Sequence, residues 1–232
     1  MEPERCSRCR REAVARQPYS GRALCADHLV RDVESRAKRT IRQQAGVRSG
    51  ARIGVLVEDG PYGAALLAFV LRQFGPRRDV TLLALVPGGT VPPWLPGDVE
   101  AVAVGPEKPE DAAVRRGCTV LVLPATLEER AAEILGAVLE GRPAALVTPV
   151  RSGRVRTVRP FEHVPGAELR LYLAALGGAG PGGEPPGPAD LFEAFVADEL
   201  AAHTAGHPSA PFALVRLADS LAALAAGEPD RC

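Results

Sequence analysis

The residues best suited to chemistry crowd the N-terminus. Cys6 and Cys9 form a CxxC pair, and fifteen residues later Cys25 and His28 form a CxxH pair. Zinc takes four tetrahedral ligands of thiolate and imidazole type, and two thiolates on one tight turn reach the same ion. Cys25 and His28 stand at the i, i+3 spacing of a turn entering a helix. Three of five cysteines and one of four histidines share this register. We therefore expect one structural zinc ion on Cys6, Cys9, Cys25 and His28, in a closed site with no position left for a substrate. An odd cysteine count argues against a disulfide framework. Cys118 opens the apolar run CTVLVLP and reads as a small buried hydrophobe. Cys232 is the last residue, and His163, His203 and His207 have no evident ligand partners.

The elements that position these residues follow from composition and periodicity. The chain has 232 residues, 28 basic and 28 acidic, for a formal charge of zero. That balance excludes a whole-chain polycation. Aromatics are only 4% of a chain that is 46% hydrophobic, so the core must be aliphatic. No apolar run approaches the ~18 residues of a membrane span. The charged start, MEPERCSRCRRE, is unlike a secretory signal, and a cytoplasmic protein without membrane contact is expected.

Residues 29–45 read as a helix with Leu29, Val33, Ala37 and Ile41 on one stripe and Arg31, Arg36, Lys38, Arg39 and Arg42 around it; Gly46 is a plausible stop. Beyond residue 51 apolar runs alternate with helix-like stretches. RIGVLV (52–57), VTLLALV (80–86), VEAVAV (99–104), TVLVL (119–123) and a fifth run at 144–150 read as strands, with helices at 63–74 and 127–139. Continuous apolar strands alternating with helices indicate a parallel sheet covered on both faces. Arg151, Arg154, Arg156 and Arg159 lie in an extended segment. Helices are expected at 167–176, 189–203 and 210–226, with a Gly/Pro-rich loop at 177–188. The fold class is α/β: a zinc finger (1–28), a basic linker helix (29–50), a Rossmann-like domain (51–150) and a helical C-terminal region (151–232).

Five tracts, in order, resemble the cytosolic-type tRNA 2-thiolation enzymes, which are PP-loop ATP pyrophosphatases. They are the CxxC opening with PYSGRALCADHLV, then RIGVLVEDGPYGAALLAFVL, LPATLEERAAEILGAVLEGR, VRTVRPFEHVPGAELRLYLAALG and HPSAPFALVRLADSL. The resemblance implies an adenine-nucleotide α-hydrolase-like sheet, tRNA as partner, and an intact thiolation paralogue or a ubiquitin-like sulfur carrier as candidate protein partners. The departures are informative. Where the family reads Ser-Gly-Gly-Lys-Asp-Ser, this chain has Glu58, Asp59, Gly60, Pro61, Tyr62 and Gly63. Two carboxylates replace phosphate-binding groups, and Pro61 removes both a cation and an N–H donor. One carboxylate 4 Å from a phosphate charge is repelled by about 1 kcal/mol in water and about 4 kcal/mol near a protein surface. The family's mid-chain cysteine pair is absent, and the acidic pair of its Asp-Asp-Glu tract is Glu128-Glu129, which also suit the first turn of a helix.

The expectation is a non-catalytic, degenerate homologue that binds tRNA through Arg36, Lys38, Arg39 and Arg42, with no ATP, no iron–sulfur cluster and no catalytic residues. Two alternatives stand beside it: an active sulfurtransferase using Cys118, and a zinc-containing interaction protein unconnected with RNA.

Overall fold

The computed structural model describes residues 4–44, 46–142, 144–147, 155–178, 187 and 190–225. The N-terminal module is a hairpin of β1 (Ala15–Gln17) and β2 (Arg22–Leu24), antiparallel with Ala15 opposite Leu24. Gly21, at φ 67°, makes the turn between them. The hairpin feeds α1 (Ala26–Gln44), whose buried stripe is Leu29, Val33, Ala37 and Ile41 as the periodicity requires, joined by Asp32 and Thr40. Gly46, at φ 61°, donates its N–H to the Ile41 carbonyl and closes the helix.

The body is a five-stranded sheet of β3 (Arg52–Leu56), β4 (Thr81–Pro87), β5 (Ala101–Val104), β6 (Val120–Val122) and β7 (Arg156–Val158). All pairs are parallel and the order is β5-β4-β3-β6-β7. The chain starts at the centre, runs to one edge, then returns to fill the other side. The direction of winding therefore reverses between β3 and β6, the place where open α/β sheets bind ligands, beyond the strands' C-terminal ends.

Strand alternation sorts the core. Ile53, Val55, Ala84, Val86, Val120 and Val122 face α1, α2 (Pro61–Phe74) and α6 (Gly166–Ala175). Leu83, Leu85 and Leu121 face the other way, toward Ala112 and Ala113 of α3 (Pro109–Arg115). A separate apolar cluster joins α4 (Leu127–Leu139), α5 (Ala144–Val147), α7 (Leu191–Gly206) and α8 (Ala210–Ala225).

The structure corrects one strand. The run at 144–150 is not the fifth strand: residues 144–147 are helix α5, and 148–150 lie outside the described residues. A short apolar run has no periodicity to separate helix from strand. The fifth strand is β7, in the arginine-bearing segment, and it joins the sheet although it lies beyond residue 150. An edge strand needs few apolar residues, and Thr157 and Val158 supply the buried positions. No helix among the described residues is long and apolar enough to cross a membrane.

Candidate metal centre and sheet crevice

The N-terminal ligands converge. Cys6 and Cys9 flank a tight turn in which Arg10 donates its N–H to the Cys6 carbonyl at 3.0 Å. The turn is tied to the hairpin by the Ser7 N–H on the Ala23 carbonyl (2.8 Å) and by the Ala23 N–H on the Ser7 hydroxyl (3.0 Å). The hairpin ends at Cys25, and α1 brings His28 round in its first turn, with Leu29 N–H on the Cys25 carbonyl (2.9 Å). His28 Nδ1 lies 3.4 Å from both Cys6 Sγ and Cys25 Sγ, and Cys9 Sγ lies 3.7 Å from Cys25 Sγ. All four ligand atoms fall within 4.8 Å of one another, the spread that a shared metal demands. Burial pushes the Cys6 thiol up, but the backbone N–H groups of Cys25, Arg8 and Cys9 outweigh it and bring the thiol down to about 6. That favours the thiolate, which is the ligating form. Burial pushes Cys25 the other way, up.

The module is locked to the body by a buried polar junction that sequence reasoning missed. Glu168 of α6 accepts from Tyr19 (2.7 Å), Gln17 (3.1 Å) and Arg36, and Gln17 also donates to Asp32 (3.2 Å). Arg36 pairs with Asp32 at 3.0 Å and donates to the His163 carbonyl at 3.1 Å. Only 17% of its side chain is exposed, so it is a tie between α1 and α6 and not a surface cation. That corrects the basic face read from the sequence. Lys38, within 3.7 Å of Glu34, Arg39 and Arg42 remain on the exposed side of α1. Among the downstream arginines, Arg151 and Arg154 lie outside the described residues, and Arg159 reaches Glu133 at 3.8 Å.

The Glu58–Gly63 loop lies at the reversal point, directly after β3. Gly60 has φ 122°, and Pro61 starts α2. Gly63 permits the tight approach, because a Cβ there would lie 2.1 Å from the Glu58 carbonyl oxygen. Three helices begin at this crevice, and the chain's own carboxylates occupy it. Glu129 accepts from the Thr126 N–H (2.7 Å) while the Thr126 hydroxyl accepts from the Glu129 N–H (3.3 Å), a complete capping box on α4. The Thr-x-x-Glu spacing was the sequence signal for it. Glu128 accepts the Gly166 N–H at the start of α6 (2.9 Å). Burial raises the Glu128 carboxyl, and burial followed by the charge of Glu129 raises Glu58. The Tyr62 hydroxyl accepts from Arg170 at 2.9 Å. The loop thus presents acid and phenol where a phosphate cradle would present a cation and a hydroxyl.

The remaining candidates fall elsewhere. Cys118 is buried just before β6, at the end of the sheet opposite the crevice, and burial raises its thiol. His163 faces Asp219 at 3.6 Å and Glu162 at 3.7 Å. The rings of His203, in the last turn of α7, and His207, just past its end, lie 4.6 Å apart. Cys232 lies outside the described residues.

Residues 5–30 match the family described as the N-terminal LIM domain of the 2-thiouridine synthetase TtuA. The whole fold is similar to that of the U34-tRNA thiolase NcsA from Methanococcus maripaludis, solved with its [4Fe-4S] cluster. The TM-score is 0.78 at 15% identity, over 96% of this chain and 88% of that one. An NH3-dependent NAD synthetase from Campylobacter jejuni, solved with a nitrate ion, aligns over 90% of this chain and 99% of its own at TM-score 0.40 and 9% identity, too loosely to carry an argument. No curated protein matches. The N-terminal module thus resembles that of a 2-thiouridine synthetase, and the whole chain shares the fold of NcsA.

The cofactor expectation is corrected by the same finding. It named zinc and excluded an iron–sulfur cluster, yet a protein of this fold carries one. Thiolate and imidazole ligands serve iron–sulfur clusters as well as zinc. The exclusion rested on the missing mid-chain cysteines and left the N-terminal set out of the count. Cys6, Cys9, Cys25 and His28 are residues that could hold a metal, and neither zinc nor iron is assigned to them.

Proposed function

We propose that this chain binds tRNA within a 2-thiolation system and leaves the activation chemistry to another subunit. The observation that carries the reading is the crevice. At the point of the sheet where a PP-loop enzyme needs phosphate-binding groups, Glu58, Asp59 and Pro61 stand in the loop. The nearby N-termini of α4 and α6 are already satisfied by Glu129 and Glu128. Carboxylates at helix N-termini are themselves stabilising, so the arrangement is favourable without a ligand.

The parts retained are those that hold and present RNA. A metal on Cys6, Cys9, Cys25 and His28 would clamp the turn, the hairpin and the start of α1 together. The Glu168 junction fixes α1 on the body. Lys38, Arg39 and Arg42 then offer cations to the phosphate backbone from a rigid helix. We place this role in the cytoplasm. An intact thiolation paralogue is the partner that would supply the missing groups.

An active thiolase is the competing reading, favoured by the likeness to NcsA. Its simplest form, with Cys118 as sulfur carrier, is disfavoured because Cys118 is buried away from the crevice. A thiolation assay separates the two: purified chain, tRNA, ATP with magnesium and a sulfide source, read by mass spectrometry of the nucleosides. The proposal expects tRNA to be bound and no 2-thiouridine to form until the paralogue is added. Thiouridine made by the chain alone, and lost on altering Glu58–Gly63, would establish the enzyme.

A further inference from the structure

Two of the chain's four histidines, His203 and His207, meet in space although the sequence showed no ligand partner for either. His203 lies in the last turn of α7, and His207 directly follows the helix. The His207 N–H donates to the His203 carbonyl at 3.0 Å, which closes α7. The His207 carbonyl accepts the Ala210 N–H at 2.9 Å, at the start of α8. Both backbone groups of His207 are thus engaged, and Pro208 restricts its backbone further. The two exposed rings project from this fixed corner with their centroids 4.6 Å apart. Among the described residues, no hydrogen bond or ion pair ties either ring to another side chain.

We propose that His203 and His207 form a second metal site, separate from the N-terminal ligand set, for a divalent transition ion of the nickel(II) or copper(II) type. Spacing is the first support. Histidines at i and i+4 share one face of a helix, the arrangement that offers two imidazoles to one ion. A metal–nitrogen bond of ~2.0–2.1 Å puts each ring centroid about 3.2 Å from the ion, so centroids 4.6 Å apart subtend about 90° there. That is the angle between neighbouring ligands in the tetragonal nitrogen–oxygen sites of nickel(II) and copper(II), and it is narrower than the tetrahedral angle zinc prefers. Charge is the second. Helix α7 carries Glu193, Asp198 and Glu199 and no Lys or Arg. Its C-terminal end, the negative pole of the helix, lies at the two histidines. Access is the third. His203 and Glu199, one turn apart, both line a cleft of about 430 Å³ between α4, α7 and α8, so an ion on the pair sits at its rim with positions left for water. Bound there, the ion ties the last turn of α7 to the connection into α8. Magnesium and calcium, which take oxygen ligands, do not suit two imidazoles. The site shares no residue with Cys6, Cys9, Cys25 and His28 or with the basic face of α1. It can therefore fail while the tRNA reading stands.

The test is calorimetric titration of the full chain with nickel chloride, after its metal content as purified has been measured by mass spectrometry. The proposal expects one saturable equivalent below about 100 µM nickel and a rise in Tm, because the ion binds the folded corner. His203→Ala and His207→Ala, both at exposed positions, should each weaken binding about tenfold or more and abolish the rise, with circular dichroism and the metal content as purified unchanged. Magnesium chloride should give no saturable heat. Absence of saturable nickel binding below about 100 µM overturns the proposal. Binding that survives either substitution places the ion elsewhere and overturns it too. So does magnesium binding as tight as that of nickel, or nickel uptake that leaves Tm unmoved.

Discussion

Replacing Glu168 by Gln tests whether the N-terminal module is held on the body by charge. The carboxylate is 6% exposed and receives hydrogen bonds from Tyr19, Gln17 and Arg36. Gln keeps the shape, removes the charge that faces Arg36, and turns an NH2 toward groups that are themselves donors. Removing one partner of a buried ion pair costs about 3–5 kcal/mol because the other charge stays buried. Asp32, 3.0 Å from Arg36, keeps part of the pairing, and the Nε of Arg36 is already buried without a partner. The lower end, about 3 kcal/mol, is the working figure. For a chain of this size it lowers Tm by about 6–12 °C. Glu100→Gln is the control: it breaks an exposed pair with Arg52 at 3.3 Å, worth about 1 kcal/mol or less. Differential scanning calorimetry compares the three proteins. If Glu168→Gln melts no lower than Glu100→Gln, the junction is not what holds α1 to α6, and the rigid presentation of its basic face loses its cause.

Three further outcomes follow. Burial raises the Glu162 carboxyl from about 4.5 to about 7, with Asp219 adding to the rise and Arg130, Arg159 and Gln44 opposing it. The folded protein thus keeps this proton where the unfolded chain has lost it, so stability falls between about pH 4.5 and 7, by on the order of 3 kcal/mol. Chemical denaturation across this range should show the fall, and Glu162→Gln should flatten it; an equally steep fall in the variant would assign it to other groups. Cys25→Ser should lose the bound metal, measured for zinc and iron together by mass spectrometry, and lower Tm; full retention of metal would remove Cys25 from the site. Gly63→Ala should destabilise the protein by about 1–3 kcal/mol, because the added Cβ meets the Glu58 carbonyl at 2.1 Å; a neutral effect would show that the loop can move aside.

The sequence made legible what depends on periodicity and local spacing. The CxxC and CxxH pairs meet at one point, and the Leu29, Val33, Ala37, Ile41 stripe is buried as read. Four of the five strands fall in the apolar runs. What stayed hidden depends on partners far along the chain. Arg36 looks like its neighbours Lys38 and Arg39 until α6 places Glu168 against it, 132 residues away. Helix α3 buries only Ala112 and Ala113, too little for a hydrophobic period. β7 is stabilised by pairing with β6, and its three residues carry no strand pattern of their own. The carboxylates of the crevice were visible as charges, but their bonds to Thr126 and Gly166 exist only once α4 and α6 are placed.

If the chain binds tRNA through α1, tRNA affinity as a function of salt must differ between the wild type and Lys38→Ala/Arg39→Ala/Arg42→Ala. The variant should keep its helix by circular dichroism, since Ala is the best helix former. It binds all tRNAs more weakly, and its slope of log K against log salt is shallower by about 2, at ~0.7–0.9 for each phosphate the variant no longer neutralises. A wild type that does not bind tRNA, or a variant with unchanged affinity and slope, would contradict it.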